Sequence, residues 1–255
     1  MQGSYYRHSG RAPLGGIFTA LFFGLVGAMI CAFAMNLMTQ LAHFSLLRVL
    51  LVPLAGVGAG YVAMLGARLG KMRHNGLLRM LGLVTGLMLA YTHWVAWFAL
   101  ESGTLTLAPG ALWSMLPKGN LLYLLCGLEA LGLWVVPVIA VSRLIDKPFC
   151  EHCAHWIKGE TELGPYRFIA HPQKLKEAME SGQYEALRQL EATVEGSSMY
   201  SVVRITRCQD CEHSFLLSVD NVSVRTDRDG KESTSSLCLI DHCVIPPGVF
   251  RQLAA

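Results

Sequence analysis

The chain has 255 residues, 53% of them hydrophobic and 15% charged. A soluble globular domain carries roughly 25% charged residues, so this is a membrane-class composition and it argues against a wholly soluble enzyme. Charge divides the chain: residues 1–144 hold nine Lys and Arg against Glu101 and Glu129, a net of +7, and residues 145–255 hold twelve against sixteen acids, a net of −4. These two regimes set an expected boundary between a domain 1–144 and a domain 145–255.

A membrane-spanning helix needs about 20 mainly apolar residues. Four segments meet that length: residues 14–38, 49–67, 78–100 and 121–141. Arg79, in the first turn of the third, is the only Lys or Arg within them. None of the four shows a polar helical face, which speaks against a buried soluble bundle. The first apolar stretch runs past the ~7–15 residues of a signal peptide. Ala32-Phe33-Ala34 leaves cleavage as an alternative.

Lys and Arg stay on the cytoplasmic side of a span. Arg7, Arg11, Arg68, Lys71, Arg73, Arg79, Arg143 and Lys147 lie at one face, and Arg48 and Lys118 at the other. The count predicts both termini in the cytoplasm and an inner-membrane, multi-pass protein.

Small residues recur at helical spacing in each span. They are Gly16, Ala20, Gly24, Gly27 and Cys31; Gly56, Gly60, Ala63 and Ala67; Gly82, Gly86 and Ala90; and Cys126, Gly127 and Ala130. Lipid gives no hydrophobic drive for helix association, so close approach through small residues supplies much of it. The stripes predict a tight bundle, with a homo-oligomer face as a further use, rather than a wide pore.

Two ionisable residues fall inside the spans. His93 continues the stripe of Gly82, Gly86 and Ala90. It lies about two helical turns from the outer end of its helix, and Glu129 lies at a similar depth in the next. A carboxylate in hydrocarbon must be paired or protonated. His93 and Glu129 are therefore expected to pair, as a structural hydrogen bond or as a proton or ion site. Trp97, Trp113 and Tyr123 read as interface anchors. The loop between the third and fourth spans contains residues 108–113, which read as a short amphipathic segment.

Cys150-Glu151-His152-Cys153 opens the second half, and Cys208-Gln209-Asp210-Cys211 recurs in it. Two C-x-x-C pairs supply four thiolates, enough to close a tetrahedral zinc site. A reducing cytoplasm favours metal over disulfide there. The gap from Cys153 to Cys208 exceeds the usual ribbon spacing, so an insertion is expected. Residues 173–181 and 183–195 carry apolar positions at three/four spacing and read as helices, broken at Ser181-Gly182. Residues 199–207, 214–224 and 234–245 read as strands, with Asp229-Gly230 as the turn of the last hairpin.

The pattern over residues 148–245 resembles a zinc ribbon with a helical insert. Cys150, Cys153, Cys208 and Cys211 are its expected ligands. A redox role for the pairs is the competing reading, disfavoured because neither pair opens a helix after a strand. Cys238 and Cys243 are expected to be core or free thiols. His152, His155, His171, His213 and His242 are substitute ligands that four cysteines leave without a vacancy. The domain's net charge argues against nucleic acid, despite Arg225, Arg228 and Lys231 near the hairpin tip.

At the N-terminus, the run from Ser4-Tyr5-Tyr6-Arg7-His8-Ser9-Gly10-Arg11 through Ala12-Pro13-Leu14-Gly15-Gly16 precedes a glycine-rich span. It resembles a group of uncharacterised bacterial membrane proteins, and the resemblance implies an inner-membrane location without an activity. The expected fold is an α-helical membrane bundle of four transmembrane helices followed by an α+β cytoplasmic zinc-ribbon-like domain. The sequence carries no nucleophile–base pair, phosphate loop or dinucleotide fingerprint. It points first to a non-enzymatic membrane protein whose zinc-held domain docks a protein partner. A transport module using His93 and Glu129 is the second reading, and a membrane thiol oxidoreductase the third.

Overall fold

The structure is a computed structural model. It describes residues 5–42, 45–114, 120–142, 147–193, 197–211, 213–227, 229 and 231–253, and of residues 42, 45–49, 113 and 120–122 the backbone alone. Lys118, Arg143, Arg228 and Gly230, and the side chains of Arg48 and Trp113, therefore lie outside the described residues. The chain forms two compact units. One spans residues 9–147; the other joins residues 5–8 to residues 148–253. The units divide between residues 147 and 148, and residues 5–8 belong with the second unit and not with the helices that follow them.

The first unit is helical. It contains α1 (Leu14–Ala42), α2 (Ser45–Leu69), α3 (Asn75–Ser102), the short α4 (Pro109–Ser114) and α5 (Asn120–Ser142). Helices α1, α2, α3 and α5 are long and apolar enough to cross a membrane. Each extends slightly beyond its predicted span, because polar end residues complete the last turns. His74 caps α3, its Nδ1 accepting from the Leu77 N–H at 3.2 Å. Gly103 closes the same helix at φ 68°, where its N–H reaches the Ala99 carbonyl at 3.0 Å. Glycine takes this left-handed cap without steric cost.

Packing runs in a ring, α1 on α2, α2 on α5, α5 on α3 and α3 on α1. Glycine permits the closest approaches. A Cβ at Gly60 would lie 2.6 Å from the Ala140 Cβ, one at Gly82 2.7 Å from the Val138 Cα, and one at Gly86 would run into the Trp134 carbonyl. On α1, a Cβ at Gly27 would lie 2.8 Å from the Val62 Cβ, so three of the predicted stripes meet neighbours. The fourth does not: Gly127 is exposed and a Cβ there meets open space. Helix α5 instead buries Leu133 and Val141, and lays Pro137 against Gly60.

The second unit is α+β. A four-stranded antiparallel sheet has the order β3 (Gly159–Arg167), β4 (Met199–Arg207), β5 (Phe215–Thr226), β6 (Glu232–Val244). A two-residue pair, β1 (Phe149–Cys150) with β2 (His155–Trp156), precedes it. Helices α6 (Pro172–Glu180) and α7 (Glu185–Arg188) fill the insertion, and α8 (Pro247–Leu253) ends the unit. The core gathers Leu175 and Met179 of α6, Leu187 of α7 and alternate residues of the sheet: Val203, Ile205, Leu217, Val219 and Ile240. Alternation along a strand puts these on one face.

Strands β4, β5 and β6 match their expected positions within two residues. The predicted helix over residues 183–195 shortens to the single turn of α7. Beyond it the chain turns to the sheet edge: Arg167 N–H donates to the Glu191 carbonyl at 2.8 Å, and Thr193 N–H to the Pro165 carbonyl at 3.1 Å. Strand β3 has no counterpart among the expected elements. Its Gly164 and Pro165 suit only an edge strand, which is where it lies.

An N-terminal segment adds an isolated bridge to the sheet edge. Tyr5 bridges Cys243 on the outer side of β6, and Tyr6 N–H donates to the His242 carbonyl at 2.8 Å. Side chains alternate along it. Tyr5 packs on the main core, with its hydroxyl donating to Glu180 Oε1 at 3.1 Å. Tyr6 packs on the cysteine cluster.

Candidate metal centre

Each cysteine pair sits in a hairpin. Cys150 ends β1 opposite His155, so the chain must reverse within the residues between them. Ala154 makes the reversal at φ 54°, a left-handed conformation that a side chain disfavours. The second pair lies between β4 and β5, where Cys208 N–H donates to the Ser214 carbonyl at 3.2 Å and closes the loop.

The two hairpins bring the sulfurs of Cys150, Cys153, Cys208 and Cys211 within 4.8 Å of one another. Cys150 Sγ lies 3.5 Å from Cys211 Sγ. Sulfurs about 2.3 Å from a tetrahedral zinc ion would be about 3.8 Å apart, so the cluster matches a four-thiolate site with little adjustment. Cys150 and Cys208 are buried on a floor of Ile157 and Leu216. These four cysteines can hold a metal ion, and four sulfur ligands complete a tetrahedron.

The thiols do not behave alike. Burial pushes Cys150 up, but the Ser214 hydroxyl, the Cys153 backbone N–H and the neighbouring thiols outweigh it and bring it down to about 6. Ser214 Oγ donates to Cys150 Sγ at 3.4 Å. Cys153 moves far upward, chiefly through its hydrogen bond with Cys211 and then through burial. Burial likewise raises Cys208. One thiolate is therefore easy to form, while further negative charge in the same space needs a cation.

No histidine joins the cluster among the described residues. His152 and His213 stack on each other, ring centroids 4.2 Å apart. His155 Nδ1 meets Asp210 Oδ2 at 3.0 Å, linking one hairpin to the other. His171 precedes α6, and His242 Nδ1 contacts Asp241 Oδ1 at 2.6 Å. Cys243 is a core residue under the sheet and Cys238 is exposed. Neither belongs to the cluster.

In the helical unit, His93 Nε2 lies 3.2 Å from Glu129 Oε1, with side chains only 1% and 10% exposed. A third residue joins them. Asn36 Nδ2 of α1 lies 2.8 Å from the Ala32 carbonyl, 3.2 Å from the His93 carbonyl and 2.9 Å from His93 Nδ1. Three acceptors around one atom require it to be the amide nitrogen. That nitrogen can only donate, so His93 Nδ1 faces a donor on one side and Nε2 faces the Glu129 carboxyl on the other. The cluster ties α1, α3 and α5 together. Sequence reasoning confined to ionisable residues misses Asn36; a buried amide in an apolar helix carries the same signal.

No protein-family model matches the chain, nor does the chain match any curated protein or any solved structure.

Proposed function

We propose that this chain is a multi-pass inner-membrane protein with both termini in the cytoplasm, and that its second unit is held by one zinc ion and docks a partner protein. The observation that carries the reading is the four-cysteine cluster. Its donors are all sulfur, and its ligands span the unit from Cys150 to Cys211. Such a site is structural chemistry: the ion staples the fold, and four thiolates leave no position for a reacting water. Two reactive thiols would suffice for disulfide exchange; four converging sulfurs favour metal over a thiol oxidoreductase.

Two observations support the topology. Lys and Arg favour one face by eight to two, the bias expected of a cytoplasmic side. Residues 5–8 pair with the unit that follows α5, so the chain leaves for the helices and returns to the same place. An even number of spans satisfies that, and α1, α2, α3 and α5 supply four.

The test has two parts. Zinc should be found at one ion per chain in purified protein, with few free thiols among the four cysteines. Pull-down from native membranes should then recover a partner that is lost when Cys208 is replaced by Ser. A chain that purifies without metal, with Cys150 and Cys153 joined by a disulfide under reducing conditions, overturns the reading. A reporter placed after residue 253 that is active only outside the cytoplasm overturns the orientation.

A second reading is favoured by the Asn36–His93–Glu129 cluster. A hydrogen-bonded carboxyl inside an apolar bundle is a common feature of proton and ion pathways. Proton-leak and flux assays in proteoliposomes, comparing the native chain with Glu129→Gln, test it. Equal flux in both reduces the cluster to a structural tie.

A further inference from the structure

One side chain at the cysteine cluster comes from the far end of the chain. Tyr6 lies 143 positions before Phe149, yet its hydroxyl accepts from the Phe149 N–H at 2.9 Å and donates to the Phe149 carbonyl at 3.1 Å. Both backbone polar groups of Phe149 are thus held by one side chain. Phe149 is buried and immediately precedes Cys150. Its strand is short and, among the described residues, pairs with β2, so the Tyr6 hydroxyl adds a second hold on the approach of the chain to the first sulfur.

Several contacts hold Tyr6 where it can do this. Its N–H is anchored to the His242 carbonyl of β6. Its ring packs on the cluster formed by Cys150, Ile157, Cys208 and Leu216. His8 Nδ1 lies 3.3 Å from its hydroxyl, and the His8 ring stands edge-on to it at 5.2 Å. Phe149 and Trp156 meet edge-to-face at 5.0 Å. The backbone bearing Cys150 is therefore held between β2 and the side chain of a segment that belongs, by sequence, to the entrance of the first helix.

We infer that Tyr6 is a positioning residue of the metal centre, so that retention of the ion depends on the bridged N-terminal segment, and loss of the ion loosens that segment in return. The inference rests on the reading of the four cysteines as a metal site. The reasoning is that of outer-shell residues in metalloproteins generally. A group that fixes a ligand's backbone narrows the geometry the ligand samples, and its removal costs affinity even though it never touches the ion. Linkage makes the effect reciprocal: whatever stabilises the bound ion is itself stabilised by it.

The experiment uses the full-length chain in detergent or nanodiscs, loaded with zinc, and follows transfer of the ion to an excess of a chromogenic chelator. Tyr6→Phe keeps the ring and removes both hydrogen bonds to Phe149. It should release zinc about ten-fold faster. Tyr5→Phe removes a hydroxyl from the neighbouring residue, on the Glu180 side, and should release zinc at the native rate. With cobalt in place of zinc, the thiolate charge-transfer and ligand-field bands should shift in Tyr6→Phe and stay put in Tyr5→Phe. Native release and native bands in Tyr6→Phe overturn the inference, as does equal acceleration in both variants, which would mean general loosening. If Tyr6→Phe fails to fold, hydrogen exchange at the Tyr6 amide in the native chain decides. Faster exchange after chelation supports the linkage, and unchanged exchange overturns it. A native chain that retains no metal overturns the underlying metal reading, and this inference with it.

Discussion

The helical unit and the sheet unit bury their residues by different means. In the sheet unit, large side chains such as Met179, Leu217 and Ile240 fill one layer between helices and sheet, and a second cluster gathers around the cysteines. In the helical unit close contacts involve glycines, among them Gly60, Gly82 and Gly86 against the backbone or short side chains of α5, while large apolar residues such as Phe18, Phe22 and Leu50 point outward. A chain folding in water hides its large apolar groups, whereas a bundle in lipid can leave them outside and use its interior for close backbone approach. The contrast predicts that damage to one unit stays in that unit.

The largest expected effect breaks the sheet unit alone. Structural zinc contributes on the order of 10 kcal/mol or more to small metal-held folds. Cys150→Ser or Cys208→Ser should lose the ion and unfold the region around both hairpins, read as zinc content and protease sensitivity. Helical circular dichroism from α1, α2, α3 and α5 should persist. Cys238→Ser should keep its zinc. Full zinc retention in Cys208→Ser defeats the assignment.

A smaller effect should break the helical unit alone. Gly86→Leu forces a side chain into the Trp134 carbonyl, and the obstacle is backbone, so relief is limited. Overpacking of this kind costs about 1–3 kcal/mol, with the upper end expected here. Denaturation in mixed micelles measures it, and zinc content should not change. Gly127→Leu serves as the contrast, since space there is open.

Within the helical unit, the polar cluster sharpens the comparison further. Asn36→Leu and Glu129→Ala each remove a partner of buried His93, at about 1–3 kcal/mol. Glu129→Gln should be milder, because an amide still hydrogen-bonds to Nε2. Additive losses in a His93→Ala and Glu129→Ala cycle would show that their contact carries no coupling.

The smallest effect runs in the stabilising direction. Ala154→Gly relieves the left-handed φ of 54° at the first hairpin. The gain should be about 0.5–1 kcal/mol after the flexibility of glycine is offset. It should appear as a higher melting temperature of the sheet unit with unaltered helices.

Legibility from sequence follows the range of the interactions. Four apolar runs and two C-x-x-C pairs are local signals, and the helices and the cysteine cluster lie where those signals point. Strand β3 escapes because Gly159, Gly164 and Pro165, with the charged Glu160, Glu162 and Arg167, erase the alternation of a half-buried strand; it lives on the sheet edge, mostly exposed. Residues 189–193 read as helix by spacing, but pairing with β3 overrides local preference. Tyr5 and Tyr6 carry a resemblance in sequence but no visible structural role, since nothing near them reveals that β6 is their partner. Asn36 is legible in principle, as a lone amide among apolar residues.

The Tyr5–Cys243 bridge also sets an order of events during synthesis. Tyr5 leaves the ribosome long before Cys243, the residue it needs in β6, is made. At ~5–20 residues per second, that interval is about 12–48 s. During it the four apolar helices must be made while Tyr5 waits without its bridge partner. In the proposed membrane-inserted chain, a Tyr5 drawn across the bilayer in that time could not reach β6, so keeping it on the side where β6 is made is a condition for closing the bridge.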